Sequence, residues 1–231
     1  SRAINCFNEA LELLPGFTDA IFNRAVANLN LGNTDDAISD FSEVIKVKPD
    51  GETYFNRGML YYNSGDTANA RKDFIDAVSM DKYQAKAAFY VGMMAFQRKN
   101  YTTALKYYNK AIDADVFYAM AYHDRGSIHR LNGDTAKAIA DYEKAVEADP
   151  GLYIAWRNLS VMQQALGKPA DAIRSIRNAV RLKPDDPGTL HAIALLHFDS
   201  HENDSCIYYC DILLKSNPDY AYAYNTRGNA Y

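Results

Sequence analysis

The chain has 231 residues, 48% of them hydrophobic and 23% charged, an ordinary balance for a protein that folds in water. No apolar run approaches the roughly 20 residues of a membrane-spanning helix, so a helical membrane bundle is excluded. A formal net charge of −4 argues against a nucleic-acid backbone as the main partner, because phosphate binding draws on a surplus of Lys and Arg.

In chain order, residues 1–17 read as one helix, with Ala3, Phe7 and Ala10 on a stripe and Pro15 ending it. Six helical hairpins follow at 18–50, 51–84, 85–118, 119–152, 153–186 and 187–220. Residues 221–231 read as the first helix of a further unit. The unit 119–152 shows the pattern most plainly. Its first helix carries Tyr122, Gly126 and His129, with Ile128 off that line. Asn132-Gly133-Asp134 breaks the pattern, Asp134 or Thr135 is placed to cap the next helix, and Ala138, Tyr142 and Ala145 form its stripe until Pro150. Gly126 and Ala138 let the two helices approach closely, and Tyr142 fills the space beside them. Further along, Pro169 suits the first turn of a helix. Lys99 and His201 stand where other turns have glycine, which predicts a different backbone conformation there.

These slots keep register along the chain. The Ala138 slot recurs at Ala3, Ala37, Ala70, Ala104, Ala172 and Cys206, and the Tyr142 slot at Phe7, Phe41, Phe74, Tyr108, Ile176 and Cys210. The Gly126 slot recurs at Ala25, Gly58, Gly92, Ser160, Ala194 and Gly228. The closing proline recurs at Pro15, Pro49, Pro184 and Pro218, with Lys82 and Val116 in its place elsewhere. A period of 34 residues with small and aromatic slots in this order resembles the tetratricopeptide repeat (TPR) family over the whole chain. The resemblance implies an all-α, right-handed superhelical solenoid of stacked antiparallel helix hairpins, with first helices on the concave face and second helices on the outer face. It also implies a scaffold for protein partners. Because the sequence opens on a second helix and closes on a first one, it reads as a piece of a longer array. End-to-end self-association is expected through Phe7 and Leu11 on one side and Tyr224 and Gly228 on the other.

Catalysis needs convergent groups, and the sequence has no phosphate-binding glycine loop, HExxH metal motif or nucleophile elbow. The reading is therefore non-enzymatic, with no cofactor. Cys6, Cys206 and Cys210 form no disulfide framework and read as free thiols, which favours an intracellular over a secreted location. The glycosylation-type matches at Asn100, Asn158 and Asn203 matter only in a secreted protein. One candidate zinc set exists: His197, Cys206 and Cys210, with His201 at the turn between their helices. The competing reading takes the cysteines as small hydrophobes beside a core histidine.

A charge pattern is more regular. Arg24, Arg57 and Arg125 precede the small-residue slot, and the same units carry Asp40, Asp73 and Asp141 just before the aromatic slot. The other three units have Val91, Leu159 and Ile193 with Tyr107, Ser175 and Tyr209, so the two positions switch together. This predicts a structural Arg–Asp ion pair inside each of three hairpins.

The first helices carry a further stripe at i, i+4 and i+7, one helix face. It reads Phe22, Val26, Leu29, then Phe55, Met59, Tyr62, then Phe89, Met93, Phe96. It continues as His123, Ser127, Arg130, then Arg157, Val161, Gln164, then His191, Leu195, Phe198. By the family's geometry this face is concave. Nine apolar residues exposed in register would make a docking site for an apolar segment such as an amphipathic helix, with its acidic end toward Arg130 and Arg157. The competing reading has these side chains packing between neighbouring first helices. The family's carboxylate clamp needs basic residues where this chain has Phe22, Phe55 and Phe89. Its asparagine ladder, as in O-linked N-acetylglucosamine transferases, is met in part by Asn23, Asn56 and Asn158, and interrupted by Tyr90, Asp124, Ala192 and Thr226. Two functions follow as expectations: a stand-alone adaptor for a protein segment, or the substrate-recruiting arm of a larger enzyme or assembly. Single-stranded RNA binding is disfavoured by the acidic balance.

Overall fold

The structure, a computed structural model, describes residues 1–80 and 84–231. Lys82, one of the two substitutes for the closing proline, lies outside the described residues. Those residues form fourteen helices and no strand. They divide into two compact units, Ser1–Val116 and Phe117–Tyr231. The first unit holds α1 (Arg2–Leu13), α2 (Thr18–Leu31), α3 (Thr34–Val47), α4 (Gly51–Asn63), α5 (Thr67–Val78), α6 (Gln84–Gln97) and α7 (Tyr101–Ala114). The second holds α8 (Ala119–Leu131), α9 (Thr135–Ala148), α10 (Tyr153–Ala165), α11 (Pro169–Leu182), α12 (Pro187–Asp199), α13 (Asn203–Ser216) and α14 (Ala221–Ala230). Both units are all-α arrays in which each hairpin packs on the next, through pairs such as α3–α4 in the first and α9–α10 in the second.

The repeated slots are the core. Ala37, Ala70, Ala104, Ala138, Ala172 and Cys206 are wholly buried, as are Phe41, Phe74, Tyr108, Tyr142, Ile176 and Cys210. Each large side chain contributes about 2–3 kcal/mol of apolar burial. The small slot works as its size requires. A Cβ added at Gly58 would sit 2.9 Å from Phe74, at Gly92 2.8 Å from Tyr108 and at Gly126 3.1 Å from Tyr142. The ring of the second helix thus lies directly on the backbone of the first.

Two local expectations are corrected. The turns at Lys99 and His201 do not adopt a different backbone. Their φ values of 57° and 59° are left-handed, as at Gly32, Gly133 and Gly167. The reason is the hydrogen bonding that ends these helices. In each turn the amide of the following residue bonds the carbonyl five residues back: Asn33 to Asn28, Asn100 to Ala95, Asp134 to His129, Lys168 to Gln163 and Glu202 to His197. This closure needs a left-handed residue whatever its side chain, so Lys99 and His201 carry a conformational cost that glycine avoids. At α9, Asp134 holds the N-cap position, but its side chain caps no backbone amide and accepts from Lys137 Nζ at 3.3 Å instead. Side-chain caps do occur at Asp50, Asp66, Asn100 and Asp186. Pro169 opens α11 in its first turn.

Candidate protein-interaction surface

The first helix of a hairpin is tied to the second by its arginine. Arg24 Nε and Nη2 donate to Asp40 at 3.0 and 2.7 Å, Arg57 to Asp73 at 2.8 and 2.7 Å, and Arg125 to Asp141 at 2.9 and 2.6 Å. Each is a two-pronged guanidinium–carboxylate contact. The hydrogen bonds to Asp40 and Asp73 raise the pKa of Arg24 and Arg57 further above the arginine value. The spacing did not reveal a third arm. Arg24 Nη1 donates to Asn8 at 2.8 Å and Arg57 Nη1 to Ser42 at 2.9 Å, both on the second helix of the preceding hairpin. Arg227 makes this backward contact too, donating to Asp211 at 2.6 Å. Asn8, Ser42 and Asp211 share one slot but no residue type, so periodicity alone does not mark them.

Where the Arg–Asp pair is missing, other contacts are made at its slots. Ser175 donates to Gln163 at 2.7 Å, His197 stacks on Tyr209 with ring centroids 5.5 Å apart, and Val91 is buried.

The zinc set is not assembled. Cys206 and Cys210 pack with Ala194 and Ala230, while His197 Nδ1 is 2.6 Å from Glu202. Burial pushes the Cys210 thiol up to about 12, as for a small apolar core side chain. His201 is exposed in its turn, and among the described residues no group of three or more potential ligands converges.

The first-helix stripe of the first unit is placed differently from the expectation of nine exposed apolar residues. Phe89 is buried at 8% exposure and the other eight are half-buried. Phe22 stands edge-on to Phe41 at 5.7 Å, and Val26 and Leu29 join the cluster around Phe41 and Leu60. Phe55 lies 5.7 Å from both Phe74 and Tyr90, Phe89 lies 5.9 Å from Tyr108, and Phe96 lies 5.6 Å from Tyr101. Tyr62 meets Tyr90 at 5.8 Å, and Met59 and Met93 are half-buried. The physical reason is Tyr90. Its ring stacks on Phe74 at 5.1 Å and meets Phe55, Tyr62 and Phe89, bridging one hairpin to the next, while the α2 members of the stripe pack on Phe41 and Leu60.

In the second unit the polar members of the stripe are already engaged. His123 is buried, with Nδ1 2.9 Å from Asp124 and Nε2 accepting from the Asn158 amide at 3.0 Å. His191 Nε2 meets Thr226 Oγ1 at 3.1 Å in the same relation one hairpin apart. The asparagine-ladder slot is therefore, at these positions, a contact between neighbouring first helices. Arg157 donates to Asp186 at 3.3 Å, whereas Arg130 is exposed, as is Asn23 in the first unit; Asn56 is half-buried. The apolar residues the second unit does expose on this stripe are Val161 and Leu195, in one slot of α10 and α12. The stripe pattern contained them, but their neighbours Arg157 and His191 drew the reading toward polarity.

Comparison with known proteins agrees with this architecture. The crystal structure of the Cut9–Hcn1 hetero-tetramer of the APC/C superposes on the whole chain with a TM-score of 0.69 at 16% identity, and the present chain spans 46% of that one. The structure titled for pilF of Pseudomonas aeruginosa gives 0.75 at 14% identity, over 91% of this chain and 96% of that one. YrrB, described as a TPR protein with an unusual peptide-binding site, gives 0.64 at 19% identity over 80% and 96%. No curated protein sequence matches the chain significantly. The tetratricopeptide repeat family model matches residues 1–52, 55–119, 104–153 and 123–187, so the chain belongs to the tetratricopeptide repeat family.

Proposed function

We propose that the chain is a non-catalytic adaptor that holds a segment of a protein partner against the first-helix face of its first unit. The observation that carries this is the row of half-buried rings and thioethers on α2, α4 and α6, namely Phe22, Phe55, Met59, Tyr62, Met93 and Phe96. Aromatic and methionine side chains with one face held by the fold and one open to solvent are the types interfaces favour. The occupant is an apolar or amphipathic segment, with Phe89 supporting the surface from beneath. A peptide is also the ligand class indicated for YrrB on this fold. The second reading, a recruiting arm with an asparagine ladder, draws less support, because Asn158 is bonded to His123. Self-association is a separate proposal, resting on the exposed Leu13 and Leu14 at the end of α1 and Tyr222 and Tyr224 on α14.

The test compares Met59→Gln/Met93→Gln with wild type in affinity capture from the source cell. Glutamine keeps the length and helix propensity of methionine, so the fold is expected to survive by circular dichroism. Loss of the main captured proteins supports the reading, and an unchanged set overturns it. Phe89→Ala is the structural control: it removes a buried ring and should cost about 3–5 kcal/mol of stability.

A further inference from the structure

In the first unit an arginine on the first helix bridges two successive second helices, joining Asp40 or Asp73 ahead to an acceptor behind. Arg24 reaches back to Asn8, Arg57 to Ser42 and Arg227 to Asp211. In the hairpin α10–α11 that arginine is Leu159, the aspartate beside it is Ser175, and the backward acceptor is Glu143. These three residues line an open groove of about 500 Å³ between α9 and α11, with Trp156 in its lining. Two other hairpins lack the arginine but differ from this one. They carry Tyr107 and Tyr209 in the aspartate slot, each a large ring where Ser175 is small, and their backward slots hold Ile75 and Arg177, which offer no anion.

The groove is therefore a guanidinium position without its guanidinium, with Gln163, which accepts from Ser175, in its lining. Glu143 is exposed, and among the described residues no hydrogen bond or ion pair holds its carboxylate. Glu147 stands one turn further along the same wall, bonded to Lys144 of its own helix. Arg174 is on the opposite rim, but it is paired with Asp171 of its own helix and is 76% exposed. Trp156 anchors its indole N–H on the Pro150 carbonyl at 3.0 Å, which fixes the ring. An aromatic face beside a carboxylate is a favourable setting for a planar cation.

We infer that this groove receives an arginine side chain of a bound protein, whose guanidinium meets Glu143 as the array's own Arg227 meets Asp211. The groove lies between the second helices α9 and α11, with Trp156 and Leu159 of α10 in its lining, and does not depend on the first-unit face proposed above. The partner is a protein segment presenting an exposed arginine. Charge complementarity with Glu143 and Glu147 and the arginine seen in the sister grooves select it.

Trp156 is the chain's single tryptophan, so its indole N–H resonance reports on this groove alone. Titrating N-acetyl-arginine amide at low salt should move that resonance saturably. The citrulline counterpart, of similar shape but without charge, should not move it. The lysine counterpart should bind at least threefold more weakly, because it lacks the planar fork. Glu143→Gln should weaken arginine binding at least fivefold. Leu159→Arg/Ser175→Asp should restore the sister arrangement and abolish binding while circular dichroism shows a folded array. Equal response to arginine and citrulline, or to arginine and lysine, would overturn the inference. So would wild-type affinity in Glu143→Gln, which decides the matter even if the double variant fails to fold.

Discussion

Arg57 is 16% exposed and Asp73 2%, so neither charge can return fully to water when its partner is removed. Asp73→Ala should therefore destabilise the chain by about 3 kcal/mol, the low end for a broken buried pair, since Arg57 keeps its bond to Ser42. Arg57→Met/Asp73→Leu removes both charges and should stay within about 1 kcal/mol of wild type. Urea unfolding of the variants measures both, and a double variant as unstable as Asp73→Ala would contradict this account. The pair was legible in the sequence because Arg and Asp switch together at fixed slots. The third arm was not, because Asn8, Ser42 and Asp211 are chemically unlike. His191 behaves differently. Burial holds its imidazole below the usual 6.5, and neutral Nε2 can accept from Thr226. The unfolded chain then takes up the proton first, so stability is present above pH 6.5 and lost as pH falls toward the lower folded value. Melting at pH 7.5 and 5.5 should show an acid loss that is smaller in His191→Gln.

The all-α repeat character was legible, since small and aromatic slots recurring with a 34-residue period mark the buried faces of paired helices. What the period does not fix is the backbone at a turn whose glycine is replaced. Lys99 adopts φ 57° because closure of α6 requires it, at roughly 1 kcal/mol of steric cost. Lys99→Gly should raise stability by up to about 1 kcal/mol. Gly92 presents the opposite case. Alanine is ordinarily the better helix former by about 1 kcal/mol, but its Cβ would lie 2.8 Å from Tyr108. Overpacking of about 1–3 kcal/mol wins, so Gly92→Ala should lower the melting temperature. A stabilised Gly92→Ala would mean the ring can move aside.

Over the whole molecule, stability is approximately the sum of hairpins and their nearest-neighbour contacts, so no single centre dictates function. This is why family and fold could be read from residues while the binding face could be read only in outline. The sequence placed Phe55, Met59, Phe89, Met93 and Phe96 on one stripe. It did not show that Tyr90 would meet Phe55 and Tyr62 of the preceding hairpin or that Phe89 would be buried beside Tyr108, because those outcomes depend on how rings from separate helices meet. The charged end of the expected segment was less legible still, since Arg157 is paired with Asp186. The most direct test of partner docking on the first-helix face is site-specific photo-crosslinking. A benzophenone amino acid is placed at Met93 on α6 and, separately, at the exposed Arg71 on α5. The account predicts that partner protein crosslinks from Met93 and not from Arg71; crosslinks from Arg71 alone would contradict it.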